Sequence, residues 1–163
     1  MSFLPDLPDL RRAPRLPAVE PARHPAQRGT PQRTVERQFA AMESVYVRQG
    51  GLATGDAVAR LLRGPQPLST LARWIVDRRI VSFSWQSRIL VPLFQFEPTT
   101  LQPRPGVLDA VAELSPVLDD WALAAWFAEP NAWLGNRRPI DVVVDDPAEV
   151  LEAARADRQI VRW

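Results

Sequence analysis

The chain has no cysteine, no lysine and one histidine, and each shortage closes off chemistry. Without cysteine there are no disulfides and no thiolate metal sites, and a reducing cytoplasm is the simplest home. The single His24 lies in a proline-rich stretch without a second histidine. A transition-metal site and Ser-His or Cys-His catalysis are therefore not expected, and no cofactor is implied. No run of 18 apolar residues occurs, and the N-terminus lacks the basic-then-apolar order of a signal peptide, so the reading is a soluble protein that is not exported and has no membrane partner. What is present is apolar content of 46% over 163 residues, enough for one globular domain, or two small ones, with a tail.

Net charge is only +1, but it is unevenly spread. Residues 1–38 carry seven arginines and four acids (+3), residues 39–96 seven and three (+4), and residues 97–163 six and twelve (−6). Arginine supplies all twenty basic residues, for which a GC-rich genome is the bland explanation. A basic middle and an acidic end still suggest two surfaces for two partners.

Residues 1–33 contain seven prolines and no helical or strand period, a composition that cannot offset its ordering entropy, so they are expected to be a disordered Pro/Arg-rich leader. From Thr34 to about Arg48, Val35, Phe39, Met42, Val45 and Tyr46 recur at helical spacing, and Gly50-Gly51 ends the run. Thr54 is placed to cap a helix to about Arg63 with Val58, Leu61 and Leu62 inward. After Gly64-Pro65, Ser69 or Thr70 starts a third helix that buries Leu71, Trp74 and Ile75, with Val76 a further candidate for that face, and ends at Arg78-Arg79. Two short helices across a tight Gly/Pro turn form a helix-turn-helix pattern, either a structural hairpin or a DNA reader. The candidate DNA-binding residues are Ser69, Thr70, Arg73, Arg79 and Arg88, small hydroxyls and arginines suited to phosphate and base edges, with Asp77 opposing them. Residues 80–85 and 88–94 flank Gln86-Ser87 as a β-hairpin in the position of a wing, and Pro92 puts the second strand at an edge or at its end.

Residues 97–106, with three prolines and Gly106, read as a linker. The domain reading is thus a leader over 1–33, a helix-turn-helix with hairpin over 34–96, and a compact helical domain over 107–163. In that domain, helices are expected over 107–114, over 120–128 behind an Asp119 cap, over 140–144, and after Asp146-Pro147. The fold class is mainly α, a small helix-turn-helix with a β-hairpin wing followed by a compact C-terminal helical domain. The adjacent carboxylate pairs Asp119-Asp120 and Asp145-Asp146 stand where N-caps are needed, so an enzyme is not expected. Trp133 and Leu134 sit in a loop, where an apolar pair must return to the core or meet a partner. For Trp163 the same choice stands at the end of the chain.

Trp126-Phe127, Pro130-Asn131, Leu134-Gly135, Pro139-Ile140-Asp141 and a helix after Asp146-Pro147 follow one another in an order that resembles the C-terminal toxin-binding domain of Xre/MbcA/ParS-like antitoxins. The likeness covers about residues 107–160, and Val91–Phe96 is similar to the linker that precedes that domain in relatives. It implies a homodimeric cytoplasmic antitoxin of a type II toxin–antitoxin system that occludes a cognate protein toxin of RES type, which consumes NAD, and binds promoter DNA to repress its own transcription. The loop then supplies the partner-binding residues Asn131, Trp133, Leu134, Gly135, Arg137 and Arg138, with Trp163 beside them. Trp133 is bulkier than the pattern leads one to expect, and residues 34–96 are not a plain five-helix Xre domain. The alternative is a stand-alone transcriptional regulator that keeps the domain without a toxin.

Overall fold

The computed structural model describes residues 31–161, and the disordered-leader expectation and the Trp163 assignment fall mainly or wholly outside that range. The described residues form seven α-helices and a small three-stranded antiparallel sheet. Helix α1 (Pro31–Val47) begins three residues earlier than its apolar period, with a proline in its first turn. Strand β1 (Leu52–Thr54) leads directly into α2 (Gly55–Leu61), where the Thr54 hydroxyl caps the Ala57 amide at 3.3 Å as its sequence position predicts. Helix α3 (Pro67–Val76) starts at Pro67 instead of at Ser69 or Thr70. Proline fits the first helical position because that amide has no partner anyway, which frees Thr70 to bond back to the Gln66 carbonyl at 3.0 Å.

Strands β2 (Phe83–Trp85) and β3 (Arg88–Pro92) are joined by Gln86-Ser87, both at positive φ, as a two-residue hairpin turn needs. Strand β1 pairs with the other side of β3, so β3 is central and Pro92, opposite Leu52, is its last residue. Strand β1 was not expected: three residues between Gly51 and Gly55 are too short to show a period of two. Leu61, expected on the inner face of α2, is instead 52% exposed, while Val58 and Leu62 fill the interior.

A 3₁₀ turn (Leu93–Gln95) leads out of the sheet, and Gln95 is fully buried. Its amide accepts from the Val81 amide and donates to the carbonyls of Val81 and Pro92, all within 2.9 Å. The 97–106 segment is ordered by a Phe96–Pro103 bridge and an Arg104–Glu97 ion pair. Helix α4 (Pro105–Leu114) begins inside it. Gly106 is where α4 meets α7 (Pro147–Val161): a Cβ there would lie 2.4 Å from the Pro147 Cβ, so no larger residue fits without movement. Helix α5 (Asp120–Ala128) has Asp119 as its N-cap, accepting from the Ala122 amide at 2.7 Å. Helix α6 (Pro139–Val142) is one turn, and Asp146 caps α7 through the Glu149 amide.

The larger core does not part at residues 97–106. It joins Met42, Val45 and Tyr46 of α1 and Phe83 and Phe94 around the sheet to the inner faces of α4 to α7. The Tyr46 hydroxyl donates to the Ala124 carbonyl at 2.6 Å, and burial pushes its pKa up, so the ring stays neutral. A second core of Val58, Leu62, Leu71, Trp74, Ile80, Val91 and Phe96 holds α2 and α3 against the sheet. Arg78, at the left-handed end of α3, ties the two parts together. Its guanidinium donates to the carbonyls of Ser115 and Leu118 in the turn after α4 and pairs with Asp120 at 3.0 Å.

Candidate functional site

Helix α5 ends because Pro130 cannot continue it, and the chain then closes a small loop on itself. The Asn131 side chain accepts from the Trp133 amide at 2.8 Å, which starts a 3₁₀ turn over Ala132–Leu134. Gly135 and Asn136 both take left-handed φ of 63°, reversing the chain so that the Asn131 amide meets the Arg137 carbonyl at 3.0 Å. Leu134 is driven into the core, only 1% exposed.

Asp157 on α7 holds this loop from outside. One of its oxygens accepts from Trp126 Nε1 and Asn131 Nδ2, each at 2.7 Å, and the other accepts from Trp133 Nε1 at 3.0 Å. A carboxylate with three N–H donors on three different side chains fixes all of them, and such charge-assisted bonds are the stronger kind. The Trp133 ring is thereby fixed at its nitrogen while 57% of the residue stays exposed. With Trp126, Pro130, Ala132 and the exposed Ile160 it lines a shallow groove.

The expected partner-binding residues therefore divide. Trp133 presents surface, and Gly135 turns the chain. Asn131 and Leu134 are a correction to the expected contact surface: both are buried and shape the loop from within, because Asn131 spends its amide on Trp133 and Asp157 and Leu134 is the loop's only anchor in the core. Arg137 bonds the Leu134 carbonyl at 2.9 Å and pairs with Glu149, and Arg138 lies 3.9 Å from Asp141. Asp157 was missed. Val150, Ala153 and Ala154 are buried one and two turns before it, so an acid in the inward stripe of an amphipathic helix was the signal that could have found it.

The second candidate surface lies around α3. Ser69, Thr70, Arg73 and Arg79 are exposed on or just after the helix, as is Arg88 at the hairpin turn. Arg88 borders the N-terminus of α2, beside Thr54 and Asp56, so it belongs to a neighbouring patch, and no described hydrogen bond or ion pair links it to the α3 residues. Leu68 also stands exposed on α3, at 62%, and so does Val76, at 78%: as the last residue of the helix it lies beyond the Leu71–Trp74 face, which corrects its expected burial. None of Arg73, Arg79 and Arg88 has an ion pair among the described residues.

Among the described residues no group of three or more His, Cys, Asp or Glu is placed to hold a metal, and no helix is long and apolar enough to cross a membrane. Asp119 and Asp146, one from each adjacent carboxylate pair, are spent as helix caps, and Asp120 is spent on Arg78. No family model, curated protein or solved structure matches this chain.

Proposed function

We propose that the protein is an antitoxin of a type II toxin–antitoxin system, a homodimeric cytoplasmic binding protein without catalytic activity. It occludes a toxin through the 130–138 loop and represses its own promoter through the α2–α3 unit and the hairpin behind it. The observation that carries the reading is a loop whose large aromatic, Trp133, is held outward by Asp157 instead of being packed away. An exposed and immobilised tryptophan at the centre of a polar-rimmed patch is the kind of residue on which protein–protein affinity concentrates. The resemblance of Trp126 to Pro147 to the Xre/MbcA/ParS-like toxin-binding domain names the class of partner, a toxin of RES type that consumes NAD. In the same reading α2 and α3 form a helix-turn-helix and the β2–β3 hairpin its wing, with Ser69, Thr70, Arg73, Arg79 and Arg88 toward DNA.

The test is co-expression with the small protein encoded beside this gene. The full chain restores growth of cells expressing that protein, and Trp133→Ala restores it poorly while keeping its melting temperature. Growth arrest that persists with the wild-type chain overturns the reading. The second reading, a stand-alone regulator, is favoured by the exposed arginines, which need no toxin to meet DNA. It predicts promoter binding by a chain whose gene has no toxin beside it.

A further inference from the structure

We propose that the groove between the 130–133 turn and the end of α7 is a recognition site for an arginine side chain of the bound protein. The inference rests on the partner-facing reading of this loop and specifies what the partner presents there. The groove is lined by Trp126 and Trp133, by the acidic residues Glu129 and Asp157, and by Ile160. An arginine is the side chain that matches this mixture. Its planar guanidinium stacks on an indole, its fork donates to a carboxylate, and its aliphatic stem lies on apolar surface such as the exposed Ile160.

The charge around the groove points the same way. Of the loop's own arginines, Arg137 pairs with Glu149 and Arg138 lies near Asp141, and neither lines the groove. Glu129 and Asp157 have no ion pair among the described residues, and what Asp157 accepts comes from neutral indole and amide N–H groups that leave its charge in place. Two acidic residues thus share the groove's lining with two tryptophans, and no described cation lines it. Because Asp157 fixes the Trp133 nitrogen, the ring does not have to be ordered when a ligand arrives, which removes part of the entropic cost of binding.

The experiment uses the full chain, labelled with nitrogen-15, and follows the indole N–H resonances of Trp126 and Trp133. These are assigned by Trp126→Phe and Trp133→Phe. Three probes are added: acetyl-Leu-Arg-Leu-amide, the same peptide with citrulline, and the same with lysine. The arginine peptide is expected to shift both resonances with a saturating curve in the range of about 1 mM. The citrulline peptide, which keeps the shape without the charge, shifts neither, and lysine binds at least about threefold more weakly. Glu129→Gln, an exposed position with no side-chain bond among the described residues, weakens the arginine peptide about threefold. Asp157→Asn weakens it further and moves the Trp126 and Trp133 resonances before any peptide is added.

Equal shifts with citrulline, or no saturating shift with arginine, overturn the proposal. So does a groove already filled by the chain's own Arg162: there Arg162→Ala would move the two resonances and only that variant would bind the peptide. Failure to rescue cells from the neighbouring toxin while the peptide still binds would sink the antitoxin reading and leave the arginine site standing.

Discussion

Between Phe39 and Phe96, Arg48, Arg60, Arg63, Arg73, Arg79 and Arg88 are exposed and have no carboxylate partner among the described residues, whereas Arg104, Arg137, Arg138, Arg155 and Arg158 further along the chain each form an ion pair. The residue type is the same and the local supply of acids differs, three in the first stretch and twelve from residue 97 onward. Where carboxylates are scarce, arginine stays available to an external polyanion. Where they are plentiful, it braces the fold and the surplus acid is left facing outward. Arg78 belongs to the first stretch by position and to the second by behaviour, since its partner Asp120 lies on α5.

Arg78 is therefore the place to break the contrast with the largest effect. Arg78→Ala removes the donors to the Ser115 and Leu118 carbonyls as well as the Asp120 pair. It is expected to lower stability by about 1–3 kcal/mol in urea unfolding. A loss within about 0.5 kcal/mol would mean that the shared core alone holds α3 to the C-terminal helices.

Asp157→Ala comes next, since it strips three N–H groups of their acceptor. An expected loss of about 1–2 kcal/mol should be accompanied by a shift in tryptophan emission, because two of the donors are indoles. Unchanged emission would show that the indole rings hold their places without the carboxylate.

Arg137→Ala and Arg73→Ala form a matched pair on the two sides of the comparison. Arg137 is about half exposed even while paired, so its loss should cost less than about 1 kcal/mol, visible as a small drop in melting temperature. Arg73→Ala should leave melting unchanged within about 0.5 kcal/mol, and under the proposed DNA-binding role it should weaken promoter binding and reduce its salt slope by about 1. If the Arg73 substitution destabilised the fold as much as the Arg137 one, the two groups of arginines would not differ in kind.

The smallest effect concerns acid. Hydrogen bonding from Arg158 is the largest influence holding the Glu113 carboxyl below its ordinary value of 4.5. Burial pushes the other way, and a weaker hydrogen bond from Arg155 and the charges of both arginines add to the lowering. A carboxyl whose pKa is depressed in the folded state adds stability above its unfolded pKa and loses it as pH falls through the folded one. Glu113→Gln should therefore lower stability slightly at neutral pH and leave it nearly unchanged in acid, which flattens the fall below about pH 4.5. An acid limb as steep in the variant as in the wild type would assign that fall to other carboxylates.

Much of the local structure is legible in the residues. Asp119 and Pro130 bracket α5 to the residue, Thr54 caps α2, and Gln86-Ser87 turns the hairpin, because caps, breakers and two-residue turns act within four residues of chain. The same reasoning placed the start of α3 two or three residues late, since a hydroxyl cap and a proline at the first helical position compete for one signal.

By itself, then, the sequence determined where helices begin and end, that the charge is split, and that the 130–138 loop carries an aromatic it has no local reason to hold. It could not separate Asn131, Leu134 and Trp133 into framework and surface. That choice depends on Asp157, which is 24 to 31 residues from the groups it binds. Nor could it join α1 to α4–α7 across Gly50-Gly51 and residues 97–106, where the local signals are all breaks. Burial of an apolar face is local in pattern but not in partner, and only the packed chain chooses which face it meets.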